Sequence, residues 1–132
     1  MGLIWTFRTY VSPRGEDEVR TWFDQQSGRV RAKFRSRLRV LGQQERSAWD
    51  RPYFALLSGT GAGLGEIRFN ADGTEHRPLG FFMPGNVFTI VICALERNGR
   101  FVPHGAVETG LMRRAAILNN AERSHAIWLT LE

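Results

Sequence analysis

Cysteine is nearly missing from this chain of 132 residues. Cys93 stands alone, which rules out an intramolecular disulfide and a cysteine-built metal centre. It lies in the apolar run from Val87 to Leu95, where a small buried side chain is the expected role. A lone buried thiol fits a reducing compartment, so a cytoplasmic location is expected. No run approaches the roughly 18 apolar residues of a membrane span. The start has no charged segment followed by an apolar one, so neither a membrane partner nor secretion is expected. Met1-Gly2-Leu3-Ile4-Trp5-Thr6 formally fits a myristoylation pattern but reads better as the opening of a strand. Histidine is scarce too: His76, His104 and His125 are far apart and form no close-spaced pair, so no metal and no cofactor are expected. The cluster Gly59/Gly61/Gly63/Gly65 lacks G-x-G-x-x-G and Gly-Lys-Ser/Thr, and a strand rather than a helix follows, which excludes a nucleotide loop. No nucleophile elbow is present.

Lysine is the other shortage. Of the 18 basic residues only Lys33 is lysine, against 13 acidic residues and a net charge of +5. Arginine offers a planar fork of donors that meets phosphate oxygens two at a time and stacks on bases. A GC-rich genome would give the same Arg/Lys ratio, but not the net charge. The expected partner is a polyanion, RNA first.

The length suits one domain, residues 1–132, and the pattern is α+β. Leu3 to Val11 mixes β-branched and aromatic residues and predicts a strand. Ser12-Pro13 predicts an N-cap and first turn, with Glu16, Asp17 and Glu18 where a helix dipole favours acids. Val19, Trp22 and Phe23 give that helix an apolar face as far as Gln26. From Arg29 to Val40 basic residues alternate with others, a strand-like period. On a helix, Val30, Phe34, Leu38 and Leu41 instead form one narrow stripe. Six cations in a row on one face of a strand would repel each other, so a helix continuing through Glu45 is favoured. Ser47 to Gly65 reads as a connection whose aromatics pack at the core edge. Three strands follow as an antiparallel meander: Leu64–Phe69, Thr74–Phe82, and the apolar Val87–Leu95 at the centre. Glu96 to Val102 is polar with an Asn98-Gly99 turn. Pro103 opens a helix carrying Val107, Leu111, Ala115 and Leu118 and ending at Asn119-Asn120. Ala126 to Leu131 forms a last strand.

The chemistry rests on arginines of the small sheet. Arg68 and Arg77 lie in the first two meander strands, and Arg97 and Arg100 flank the turn after the third. Any one could be ordinary solvated edge charge. Together they could hold a phosphate and stabilise the added charge of a pentavalent transition state. Arginine stays protonated, so a base would come from His104, His76, Glu66 or Glu96.

Leu64-Gly65-Glu66-Ile67-Arg68-Phe69, His76-Arg77-Pro78-Leu79-Gly80-Phe81-Phe82, the apolar strand to Leu95, a basic turn and a Pro103-led helix together resemble the phage-derived, HigB-like branch of the RelE/ParE toxin superfamily. The likeness covers roughly Trp49 to Ala116. It implies an N-terminal strand and two helices packed on a small antiparallel sheet with a C-terminal helix. It implies a toxin of a type II toxin–antitoxin pair, an endoribonuclease that cuts mRNA on the ribosome by metal-independent attack of the 2′-hydroxyl. A cognate antitoxin, of helix-turn-helix type, would neutralise it. By this likeness Arg68 and Arg77 hold the scissile phosphate and Arg97 meets the transition-state charge; with Glu96 and His104, taken from the candidate bases above, they make up the expected catalytic set. Arg29, Arg31, Lys33, Arg35, Arg37, Arg39 and Arg100 would dock on RNA or ribosome. The basic pair expected after the third strand reads Glu96-Arg97, and no tyrosine follows Phe54, so a tyrosine-assisted mechanism is excluded. A ParE-like gyrase inhibitor and a non-catalytic phage-derived binding module remain the alternatives on the same fold.

Overall fold

The chain enters through strand β1 (Thr6–Tyr10) in a computed structural model that describes residues 2–132. Met1, where the lipid-attachment pattern begins, lies outside the described residues. Helix α1 spans Glu18–Asp24, later and shorter than expected. Ser12 does not cap it. Its Oγ accepts from the Glu16 N–H at 3.1 Å and its own N–H donates to the Glu16 carbonyl at 2.9 Å, closing a local turn around Pro13. The cap is Asp17, whose Oδ1 accepts from the Arg20 N–H at 3.0 Å. A carboxylate at that position satisfies an unpaired amide and complements the helix dipole together.

The arginine-alternating segment is helix α2 (Gly28–Gly42), and it buries Val30, Phe34, Leu38 and Leu41 as the stripe predicted. Ser27 caps it, accepting from the Val30 N–H at 3.2 Å. The helix stops at Gly42 rather than Glu45 because the N-terminal segment crosses its end. Ile4 N–H donates to the Gly42 carbonyl at 2.8 Å, and a β-carbon at Gly42 would lie 2.8 Å from Leu3 Cδ2.

The sheet is richer in strands than expected. Its members are β1, β2 (Phe54–Leu56), β3 (Gly65–Ile67), β4 (Phe69–Ala71), β5 (Thr74–Met83), β6 (Val87–Arg97), β7 (Arg100–Val102) and β8 (Ser124–Ala126). The order is β2-β3-β5-β6-β1-β8, with β4 also paired to β5 and β7 to β6. The antiparallel meander holds, but the sheet is mixed, since β1 runs parallel to β6 from Thr6 opposite Val87 to Thr9 opposite Ile90. The supposed connection after Ser47 contains β2. The polar stretch after β6 is a hairpin whose turn residues Asn98 (φ 51°) and Gly99 (φ 74°) both take the left-handed conformation that a two-residue turn requires. The expected Leu64–Phe69 strand divides at Arg68, whose N–H donates to the Tyr53 carbonyl at 2.9 Å. The last strand comes earlier than read, at Ser124–Ala126, and Leu131 beyond it is buried.

Helices α1 and α2 share one core with an aromatic cluster. Trp49, expected at the core edge, is 3% exposed. Its ring packs on Trp5, Phe54, Phe82 and Phe88, and its Nε1 donates to the Leu41 carbonyl at 2.9 Å. Helix α3 (Ala106–Asn119) packs in a second core with Leu64, Leu79, Phe81, Val91 and Ala94. It buries Ala106, Gly110 and Ile117, while Ala115 and Leu118 of the expected stripe are exposed. Small residues let this helix sit close, since a β-carbon at Gly110 would already be 3.0 Å from Leu64 Cδ1. Among the described residues no helix is long and apolar enough to cross a membrane.

Gly80 sits at a register shift between β5 and β6, where a β-carbon would fall 2.4 Å from the Thr89 carbonyl oxygen. Gly80→Ala is therefore expected to lose about 1–3 kcal/mol of stability through overpacking, read as a lower urea midpoint with an unchanged slope.

Candidate nucleic-acid interface

A cleft of about 480 Å³ opens where α2, the loop before β2, and strands β4 and β5 meet. Its basic lining comes from separate parts of the chain: Lys33 and Arg37 from α2, Arg51 from the loop, Arg68 from the β3–β4 junction, and Arg77 from β5. Tyr53 forms part of the wall, 41% exposed, with the Arg37 guanidinium 3.9 Å above its ring. Strand periodicity cannot bring these residues together. The sheet does so by ending β3 at Ile67 and turning at Arg68.

Arg77 is the electrostatic centre. Its side chain is 3% exposed, with Nε 3.2 Å from both Glu66 Oε2 and Glu96 Oε1, and Nη2 3.5 Å from Glu75 Oε1. Nη1 donates to the His76 carbonyl at 2.8 Å. Glu66 Oε2 also lies 3.4 Å from Arg68 Nε, so one carboxylate joins the two arginines. Burial pushes the Glu66 carboxyl above its ordinary range, outweighing the pull of Arg68 and Arg77 the other way. Arg68 is the more open of the two arginines, at 22%.

The other candidates scatter. Glu96 stands on the site only as a carboxylate against Arg77. Arg97 and Arg100 face each other across the exposed β6–β7 turn, and His104 is exposed in the loop before α3; none of the three lines the cleft. The six cations of α2 do not make one docking face. Residues two apart on a helix lie about 200° around its axis, so the alternating row divides into two stripes. Arg29, Lys33 and Arg37 form one, with Arg29 Nε 3.6 Å from Asp72 Oδ1. Arg31, Arg35 and Arg39 form the other, and two of these are engaged in the fold: Arg31 Nη1 donates to the Gln26 carbonyl at 2.8 Å, and Arg39 Nε to the Leu131 carbonyl at 2.7 Å. Arg51 and Tyr53 escaped sequence reading, because nothing local marks a loop residue as part of a distant wall.

His76 stands apart from the cleft, although it neighbours Arg77. It is 3% exposed, stacked on Phe69 with ring centres 4.9 Å apart, and neither ring nitrogen has a hydrogen-bond partner. Burial lowers its pKa, and the nearby Arg77 lowers it further. Below about pH 6.5 the unfolded chain therefore takes up a proton that the folded one resists. This contribution to stability is complete above the unfolded pKa and shrinks as pH falls through it towards the folded value. His76→Phe is expected to flatten that acid-side loss and to match or exceed wild-type stability at neutral pH, as read from urea unfolding across the range. Among the described residues no group of three or more His, Cys, Asp or Glu is placed to hold a metal ion. Burial raises the Cys93 thiol well up, which keeps it protonated.

A family model, Phage derived protein Gp49-like (DUF891), matches residues 21–114, well over half of the chain. The chain belongs to this Gp49-like family. The Gp49-like segment contains every residue of the basic cleft, from Lys33 to Arg77, and begins just before Trp22 of α1. β1, β8 and the tail that Arg39 holds lie outside it. No curated protein and no solved structure matches the chain.

Proposed function

We propose that this Gp49-like protein is a toxin of the RelE/ParE kind, an endoribonuclease whose cleft takes single-stranded mRNA on the ribosome. One observation carries the reading: five cations from four segments line a single cleft, beside a buried carboxylate that joins two of them. Phosphate is the anion such forks fit, and Tyr53 under Arg37 offers a flat face for an unpaired base. The resemblance of the Glu66–Arg68 and His76–Phe82 strands to the superfamily points the same way.

In the proposed reaction the ribose 2′-oxygen attacks the adjacent phosphorus. The P–O5′ bond breaks and the departing 5′-oxygen takes a proton from water, leaving a 2′,3′-cyclic phosphate and a 5′-hydroxyl. Arg68, the open arginine, meets the non-bridging oxygens as their charge grows. Glu66 takes the proton from the 2′-hydroxyl, a role suited by a carboxyl pushed towards neutral pH. Arg77 is a positioning residue that fixes Glu66, and Glu96 fixes Arg77. Arg97, Arg100 and His104, away from the cleft, are left to contact ribosomal RNA together with the Arg31/Arg35/Arg39 stripe of α2. A helix-turn-helix antitoxin would be the neutralising partner.

The test is expression in a bacterium with mapping of mRNA ends. Growth arrest with translation-dependent cuts supports the reading. Arrest of replication with intact mRNA would favour the gyrase-directed alternative, and harmless expression a binding module. On purified protein, affinity for a short single-stranded RNA is expected to fall with salt. Replacing Lys33 and Arg37 by alanine should reduce the log–log slope by about 0.7 for each phosphate no longer neutralised.

A further inference from the structure

The basic cleft holds one group that phosphate binding does not explain. Glu75, its side chain 47% open to solvent, is the one carboxylate among the described residues that line it. A negative group at that place repels the phosphates that the five cations attract. Nor does Arg77 depend on it. Arg77 Nε already has Glu66 and Glu96 at 3.2 Å, both more buried, while Glu75 stands off from Nη2 at 3.5 Å. We propose that Glu75, with Asn70 beside it, reads the Watson–Crick edge of a guanine in the bound strand; this rests on the RNA reading just given.

The β4–β5 hairpin fixes the pair. Its two turn residues, Asp72 (φ 53°) and Gly73 (φ 73°), are both left-handed, as a type I′ turn requires. Ala71 and Thr74 close that turn as a hydrogen-bonded pair, so Asn70 and Glu75, one step further on, form the non-hydrogen-bonded pair. Residues opposed in this way have Cα atoms about 4.5 Å apart and side chains on the same face of the sheet. An exposed amide and an exposed carboxylate therefore stand side by side, and both line the cleft.

Their chemistry selects one base. A carboxylate offers acceptors only, and the amide next to it adds donors. Guanine presents the complement along one edge: the O6 acceptor, then the N1–H and N2–H donors. Glu75 accepts from N1–H and N2–H, and Asn70 donates to O6. Adenine and cytosine place a ring-nitrogen acceptor where the carboxylate needs a donor. Uracil keeps one donor but sets an oxygen in place of the N2 amine. This edge is open only in an unpaired base, which is what a cleft for single-stranded RNA receives. The Arg37 guanidinium over Tyr53 supplies a flat group in the same lining on which that base can stack.

The test is binding of short oligoadenylates to the full chain, the strands alike except for one central guanosine, inosine or adenosine. The guanosine strand is expected to bind about tenfold tighter than the adenosine strand. Inosine, which keeps O6 and N1–H but lacks the N2 amine, should fall between them. Glu75→Gln should abolish the preference without weakening the all-adenosine strand, and Asn70→Ala should reduce it. The thermal midpoint of each variant checks that it is folded. If Glu75 acts only by supporting Arg77, Glu75→Gln weakens every strand alike and keeps the ratio, which overturns the proposal. Equal affinity of the wild type for the three strands also overturns it and leaves the RNA reading standing. No binding of any strand by the folded wild type overturns the RNA reading and the guanine site with it.

Discussion

Arg77→Ala is expected to lower stability by about 3–5 kcal/mol, and the thermal midpoint by about 10–20 °C, the largest effect of any single substitution at the cleft. The reason is what it leaves behind. Arg77 is the shared partner of Glu66, Glu75 and Glu96. Glu75 and Glu96 stand directly opposite each other on β5 and β6, where like charges repel across a ladder. Without the guanidinium, Glu66 keeps only Arg68, at 3.4 Å. Arg77→Lys should recover little, since one ammonium cannot meet three carboxylates and the His76 carbonyl at the distances a planar fork spans. The deficit also has a pH signature. Glu66 already holds its proton more tightly folded than unfolded, and loss of Arg77 increases that difference. Stability of the variant relative to wild type should therefore recover as pH falls through the folded pKa of Glu66 towards about 4.5, its unfolded value. Calorimetry from neutral to acid pH reads both effects.

Arg68→Ala is expected to do the reverse: little change in stability and a loss of about 10²–10³ in RNA cleavage. Arg68 has one ion-pair partner, and its side chain reaches solvent. When Arg68 is lost Glu66 keeps the Arg77 guanidinium at 3.2 Å, so no buried charge is left unpaired and the cost stays well below that of Arg77→Ala. The chemical role of Arg68 is larger, because in the proposed reaction it is the cation free to meet the phosphate. The contrast separates the two arginines: Arg77 holds the site together and Arg68 acts in it. Cleavage assays at matched folded fraction, set by the unfolding curves, distinguish lost chemistry from lost protein.

Much of this was legible in the chain. The Val30/Phe34/Leu38/Leu41 stripe decided for a helix against a strong period-two pattern, because an apolar stripe of that spacing can face a core and a row of six cations cannot share one strand face. The meander and its turns followed from Asn, Asp and Gly punctuation. Other features depend on long-range packing and left no local mark. Ser12 resembles a cap, but Asp17 competes for the role and wins. β2 is only Phe54–Leu56 and exists because β3 pairs with it. The face of α3 follows small residues that allow close approach, where hydrophobicity alone pointed at Leu118.

The site was half legible. Glu66-Ile67-Arg68 and Glu75-His76-Arg77 repeat one pattern, a carboxylate two residues before an arginine, which on a strand places both on one face. That repeat was available as a sign that these arginines are paired rather than free. The gathering of Lys33, Arg37 and Arg51 around them was not, since it depends on how α2 lies across β4. The docking helix and the sheet site, separate in sequence, thus meet in one cleft, while Arg97 and His104 fall outside it.

The central claim is that this cleft cuts RNA through Arg68. The most direct measurement is end mapping of a defined mRNA in a translating extract with purified wild type and Arg68→Ala. The account predicts cuts that require translation, bear 2′,3′-cyclic phosphate and 5′-hydroxyl ends, and vanish with Arg68→Ala while that variant stays folded. An intact mRNA with the wild type, or cutting by Arg68→Ala at the wild-type rate, would contradict it.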